Sequence, residues 1–95
     1  MVKVIATNII QDEFLDEVIE LYKRLVYYTR QEKGCISYEL FQDKANPNKL
    51  TMIEEWEAQE YVDNHYKTAH YNEIRPQIVP KLAAKTETTF YHKLA

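Results

Sequence analysis

An α+β sandwich, with helices packed on one four-stranded antiparallel sheet, is predicted by three observations. Residues 36–40 and 50–56 alternate in pattern with a period of two, and Ala45-Asn46-Pro47-Asn48 supplies turn residues between them. Residues 14–28 repeat their apolar side chains every three or four positions, the spacing of an amphipathic helix. Strand-like runs at 2–10 and 86–94 complete the order strand, helix, strand, strand, helix, strand, which is the ferredoxin-like βαββαβ arrangement.

In the first strand Val2, Val4 and Ala6 share one face with Asn8, while Ile5 and Ile9 lie on the other. Both faces therefore look covered. Asp12 is then placed to cap a helix whose first turns carry Glu13, Asp16 and Glu17, where acids suit the helix dipole. Phe14, Val18, Leu21, Leu25 and Tyr28 form its apolar stripe. Arg30 and Lys33 end it, and Gly34 supplies the left-handed residue expected after a helix. In the hairpin, Ile36, Tyr38 and Leu40 form one set and Leu50, Met52, Glu54 and Trp56 the other.

Residues 58–66 read as a short helix with Tyr61, Val62 and His65 on one side. Thr68 is placed to cap a further helix containing His70 and Tyr71. Pro76 and Pro80 then predict a kink or two short turns over 75–82. Threonines and aromatics at 88–91 favour the last strand.

Ninety-five residues suit one domain, 1–95, with a small core that association with a second copy would enlarge. Helices on one sheet face leave the other bare, so two copies packing sheet to sheet into a dimeric α/β-barrel are expected. A formal charge of −3 gives no electrostatic case for nucleic acid or an anionic membrane. No apolar run approaches the roughly 20 residues of a membrane span, and the first ten residues do not resemble a signal peptide. A lone cysteine, Cys35, suits a reducing, cytoplasmic setting; it is either a nucleophile or a small buried apolar residue.

No glycine-rich phosphate loop, paired-cysteine motif or HExxH zinc motif is present. His65 and His70 lie roughly 140° apart on a continuous helix, poor geometry for one metal unless the helix breaks near Lys67 or Thr68. No metal or cofactor is expected. Asn8 needs hydrogen-bond partners on its apolar face, from neighbouring backbone or from a ligand. Glu54 on an apolar face is costly unless paired, with His65, His70 or Arg75 as candidates. If Glu54, Trp56, Asn8 and His65 all turn toward the dimer interior, they enclose a pocket for a flat, polar aromatic molecule. Trp56 and His65 are otherwise ordinary core residues.

At GCISYELFQD, IEEW and NHYKTAHY the chain resembles the antibiotic biosynthesis monooxygenase family, essentially along its whole length. Glu32, Gly34, Tyr38, Glu54, Trp56, His65 and His70 carry the pattern. The resemblance implies a small dimeric ferredoxin-like protein. It is most similar to the small quinol-monooxygenase branch, which oxidises aromatic quinols or phenols with dioxygen and no cofactor. Haem-degrading members use a tryptophan on the helix after the hairpin, where this chain has His65. The implied roles are His65, or else His70, as base and Asn8 as oxyanion donor. Glu54 would orient the imidazole, with Trp56 as aromatic wall and Tyr38 and Arg75 contacting substrate. Other expectations are a non-catalytic aromatic-binding or stress-response dimer, or an isomerase of a small signal molecule.

Overall fold

The computed structural model describes residues 1–95. Strands β1 (Val2–Ile9), β2 (Cys35–Gln42), β3 (Lys49–Trp56) and β4 (Glu87–His92) form one sheet in the order β2-β3-β1-β4, with every neighbouring pair antiparallel. Helices α1 (Leu15–Thr29), α2 (Gln59–His65) and α3 (Ala69–Ile78) cover one face. This is the ferredoxin-like architecture the element order predicts. No helix is long and apolar enough to cross a membrane.

Strand β3 shows why the face is so well defined. Leu50, Met52, Glu54 and Trp56 are buried against the helices, while the intervening residues are only half-buried. Register carries the pattern across the sheet, aligning Tyr38, Glu54, Val4 and Phe90 in one row and Leu40, Met52, Ala6 and Thr88 in the next. Val18, Leu21, Tyr22 and Leu25 of α1, Val62 of α2, and Ile74 and Ile78 of α3 close over these rows. On the reverse face the central row reads Glu39, Ile53, Ile5 and Thr89, and no helix lies on it.

Local departures from the sequence-based expectation have physical reasons. Asp12 does not cap α1; it opens a 3-10 turn, Asp12–Phe14, and its carboxylate accepts from Asn48 instead. A β-bulge between Cys35 and Ser37 lets Cys35 pair with Trp56 and turns Ile36 outward, half exposed. Tyr28, on the expected stripe, is 45% exposed because the helix ends one residue later. Helix α3 continues through Pro76 and gives way to a 3-10 turn only at Val79–Lys81. Proline removes one N–H there without ending the helix. The Asn46-Pro47 turn is held by Asp43, whose carboxylate accepts from the amides of Ala45 (2.7 Å) and Asn46 (3.0 Å).

Gly34 has φ +83°, in the left-handed region, but it lies in the turn before β2 and not directly after α1. A Cβ there would also run into the Tyr61 ring. Replacing Gly34 by Ala therefore combines backbone strain with overpacking, and should cost about 2–4 kcal/mol of stability in urea unfolding.

Candidate functional site

Helix α2 stops at His65, and the chain turns through Lys67 before α3 begins. Thr68 makes this break, as its hydroxyl donates to the His65 carbonyl (2.8 Å) and accepts from the Tyr71 amide (3.3 Å). The poor angular separation expected of His65 and His70 on one helix is thereby removed. Both imidazoles reach Glu32, which sits in the turn after α1 with its amide bonded to the Thr29 carbonyl (3.0 Å). Glu32 Oε2 lies 2.7 Å from His65 Nδ1 and 2.7 Å from His70 Nε2.

One acceptor oxygen meeting two ring nitrogens fixes both tautomers, since each nitrogen must carry its hydrogen to donate. His65 then keeps Nε2 as a lone-pair acceptor. Burial lowers the His65 pKa, opposed only in part by Glu32, so the ring is neutral near neutral pH. The three donor atoms lie within 4.8 Å of one another and form a two-histidine, one-carboxylate set that could hold a divalent cation. A cation there would have to replace both N–H hydrogens.

Glu54, expected beside an imidazole, instead accepts from the Trp56 indole N–H at 3.0 Å. Burial raises its pKa to about 7, opposed in part by the hydrogen bond from Trp56 and aided by a still smaller push from the Glu32 charge. Trp56 is fully buried behind Glu54, with its ring 5.1 Å from that of His65 and 6.3 Å from that of Tyr38.

Asn8, buried on β1, meets the far end of α3 and the start of β4. Its Oδ1 accepts from Arg75 Nη1 (3.2 Å) and the Thr86 hydroxyl (2.7 Å), while Nδ2 reaches only the Ala6 carbonyl, at 3.4 Å. Arg75 Nη1 also donates to the Tyr22 hydroxyl (2.8 Å) and Nη2 to Thr86 Oγ1 (2.7 Å). Burial pushes the Tyr22 phenol up to about 12 despite the guanidinium beside it.

These two clusters flank a cavity of about 50 Å³ between the sheet and the helices. Asn8, Tyr38, Glu54, His65 and Arg75 line it, together with Tyr22, Leu25, Tyr66, Tyr71 and Thr86. It lies within one chain, on the helix-covered sheet face. The pocket expected in a dimer interior is thus moved to the opposite side of the sheet. Trp56 and His70 do not reach the wall: Trp56 backs it through Glu54, and His70 acts on Glu32 while stacking on Tyr28 with ring centroids 5.8 Å apart. About 50 Å³ admits a water or dioxygen, whereas benzene occupies cavities of about 150 Å³. An aromatic guest therefore requires the half-buried Tyr66 or Tyr71 to swing aside.

Tyr22, Tyr66, Tyr71 and Thr86 were not anticipated at the site, and neither was the part Glu32 plays. Tyr22 could have been found from its place four residues after Val18 on the helical stripe. Thr86 could not, because 78 residues separate it from Asn8. Cys35 is no activated nucleophile, since burial, then the charges of Glu32 and Glu54, push its thiol up to about 11.

Glu54 releases its proton near 4.5 in the unfolded chain and near 7 when folded. Folding takes up a proton between these values, so this residue lowers stability as pH rises through that window and leaves the full penalty above it. Glu54→Gln keeps an acceptor for Trp56 without the charge. Its melting temperature should exceed that of the parent by roughly 5 °C or more at pH 8, and the gap should close by pH 5.

Comparison with known proteins is consistent along the chain. The antibiotic biosynthesis monooxygenase family model matches residues 1–77. A crystal structure of an antibiotic biosynthesis monooxygenase superposes with TM-score 0.96 at 35% identity, covering 100% of both chains. A conserved protein of Methanosarcina mazei gives TM-score 0.95 at 36% identity, covering 98% of this chain and 92% of the other. An uncharacterized protein of Synechocystis sp. is 29% identical over 89 residues, which are 93% of this chain but only 60% of that protein. The uncharacterized YjcS of Bacillus subtilis is 30% identical over 70 residues, 74% of this chain and 67% of that protein. With four-fifths of its length matched by the family model and its fold reproduced in a solved member, this chain belongs to the antibiotic biosynthesis monooxygenase family.

Proposed function

We propose that the protein is a cofactor-independent monooxygenase that oxidises a small aromatic quinol or phenol with dioxygen. The observation that carries this reading is the Glu32–His65 pair beside the cavity, a neutral buried imidazole whose Nδ1–H is held at 2.7 Å and whose Nε2 is free to accept a proton. His65 Nε2 removes the phenolic proton, and the electron-rich anion passes one electron to dioxygen. Recombination of the two radicals forms a C–O bond and a peroxide. Loss of water from the peroxide leaves a quinone carbonyl, with one oxygen atom in the product and the other in water. All four electrons that reduce dioxygen come from the substrate, and the proton held by His65 returns to the peroxide before water leaves.

Asn8 is the oxyanion donor in this scheme. Its carbonyl oxygen is consumed by Arg75 and Thr86 and one Nδ2 hydrogen reaches the Ala6 carbonyl at 3.4 Å, which leaves the other amide hydrogen for the substrate oxygen. Glu32 is a positioning residue, and His70 holds its second lone pair. Tyr38, buried on β2, offers its phenol to the same cavity, and Trp56 stiffens the wall behind Glu54.

A homodimer formed through the reverse sheet face belongs to the same proposal. Ile5 and Ile53 lie side by side at the centre of that face, with Ile9 and Phe41 on it as well, and no helix shields them. Two copies related by a two-fold axis would cover both surfaces and leave each cavity within its own chain.

Dioxygen uptake with a panel of reduced quinols and phenols tests the activity. The wild-type rate should exceed buffer, and His65→Ala and Asn8→Ala should lose about 10²-fold or more of the excess. Glu32→Gln should lower kcat more than it alters KM. Equal rates for wild type, variants and buffer would leave only a ligand-binding protein. For the assembly, sedimentation should give twice the chain mass, and Ile53→Glu should give the single-chain mass with an intact far-UV spectrum.

A further inference from the structure

Arg75 stands out among the cavity residues because no carboxylate neutralises it. Its partners within the protein are a carboxamide, a phenol and an alcohol. Every ion pair in the chain involves some other cation. A half-buried guanidinium without an anion is an unusual arrangement, since desolvated charges are ordinarily paired. Glu54, the one carboxyl group on the cavity wall, is turned to Trp56.

Arginine has five N–H groups. Asn8 and Tyr22 take the two on Nη1, and Thr86 takes one on Nη2. The Nε–H and one Nη2–H are left without a partner in the protein. Two donors on one planar cation match the two oxygens of a carboxylate. Arg75 and Thr86 also line a shallow surface depression with Val79, Leu82 and Lys85, so they form the partition between the cavity and solvent.

We propose that Arg75 is an anion subsite on the solvent-side wall of the cavity, selecting aromatic substrates that carry a carboxylate. The inference rests on the proposed aromatic-binding reading of the cavity and names its substrate class. The carboxylate docks on Arg75 at the solvent side while the phenolic hydroxyl points toward His65 and Asn8. Thr86 and Tyr22 hold the guanidinium in place, so its orientation is set before the ligand arrives.

Calorimetric titration under nitrogen with 2,5-dihydroxybenzoate and with hydroquinone tests this apart from turnover. The wild type should bind the carboxylated ring at least 10-fold tighter. Arg75→Gln should bring the ratio close to one, Arg75→Lys should retain part of it, and Lys85→Gln should leave it intact. Melting curves identify any variant that has lost its fold, in which case the lysine variant and the wild-type ratio decide. A wild-type ratio near one would overturn the subsite, as would a ratio unchanged in Arg75→Gln or lost in Lys85→Gln. Dioxygen uptake is read separately. Hydroquinone turnover with a ratio near one would remove the subsite and keep the monooxygenase, whereas selective binding without uptake would do the reverse. Binding of neither ring would remove both.

Discussion

The turn after α1 and the α2–α3 break, more than 30 residues apart in the chain, converge on one carboxylate oxygen, Glu32 Oε2, and the site depends on that convergence. The turn after α1 supplies the acceptor, the last residue of α2 supplies one imidazole, and the first turn of α3 supplies the other. Two short hydrogen bonds at 2.7 Å in a poorly hydrated place are stronger than their surface equivalents. They also remove a degree of freedom no other contact controls, because a free imidazole can carry its hydrogen on either nitrogen. With Nδ1 committed, His65 keeps its lone pair on Nε2 and lines the cavity. His70 never touches that cavity, yet it helps hold the carboxylate that orients His65.

The cavity is polarised by what surrounds it. At one end a neutral imidazole lies near a carboxyl that burial keeps partly protonated around neutral pH. At the other end a guanidinium is bonded only to neutral groups. The two ends therefore differ in charge in a way that the overall value of −3 does not reveal. Net charge describes the surface field and not a buried pocket. Tyr22, Tyr38, Tyr66 and Tyr71 fit such a place because each joins an apolar ring to one polar atom.

Much of the fold was legible because backbone periodicity is local. Strand β3 alternates without exception, and α1 repeats at three and four, so their inward faces could be assigned from side-chain order alone. Thr68 as the cap of α3 was likewise readable, since capping acts over three residues. Asp12 departs from its expected capping role for a complementary reason. Asn48, 36 residues away, competes for its carboxylate, and no local rule anticipates that.

Element order, the inward face of the hairpin and the candidacy of Asn8, Tyr38, Glu54, His65 and Arg75 were determined by sequence alone. The order and the hairpin face rest on spacing and turn chemistry, Asn8 and Glu54 on being polar in an apolar pattern, and the rest on resemblance to the family. Which side of the sheet holds the cavity, and which partner each polar group takes, was decided by tertiary structure. Glu54 bonds Trp56 and not a histidine, while Glu32 takes both histidines and Thr86 closes the Arg75 network. The Glu32 pairings depend on distances between segments more than 30 residues apart, and the Glu54–Trp56 pairing on side-chain rotamers within one strand. A hydrogen bond tolerates only a few tenths of an ångström, and no one-dimensional pattern carries that precision.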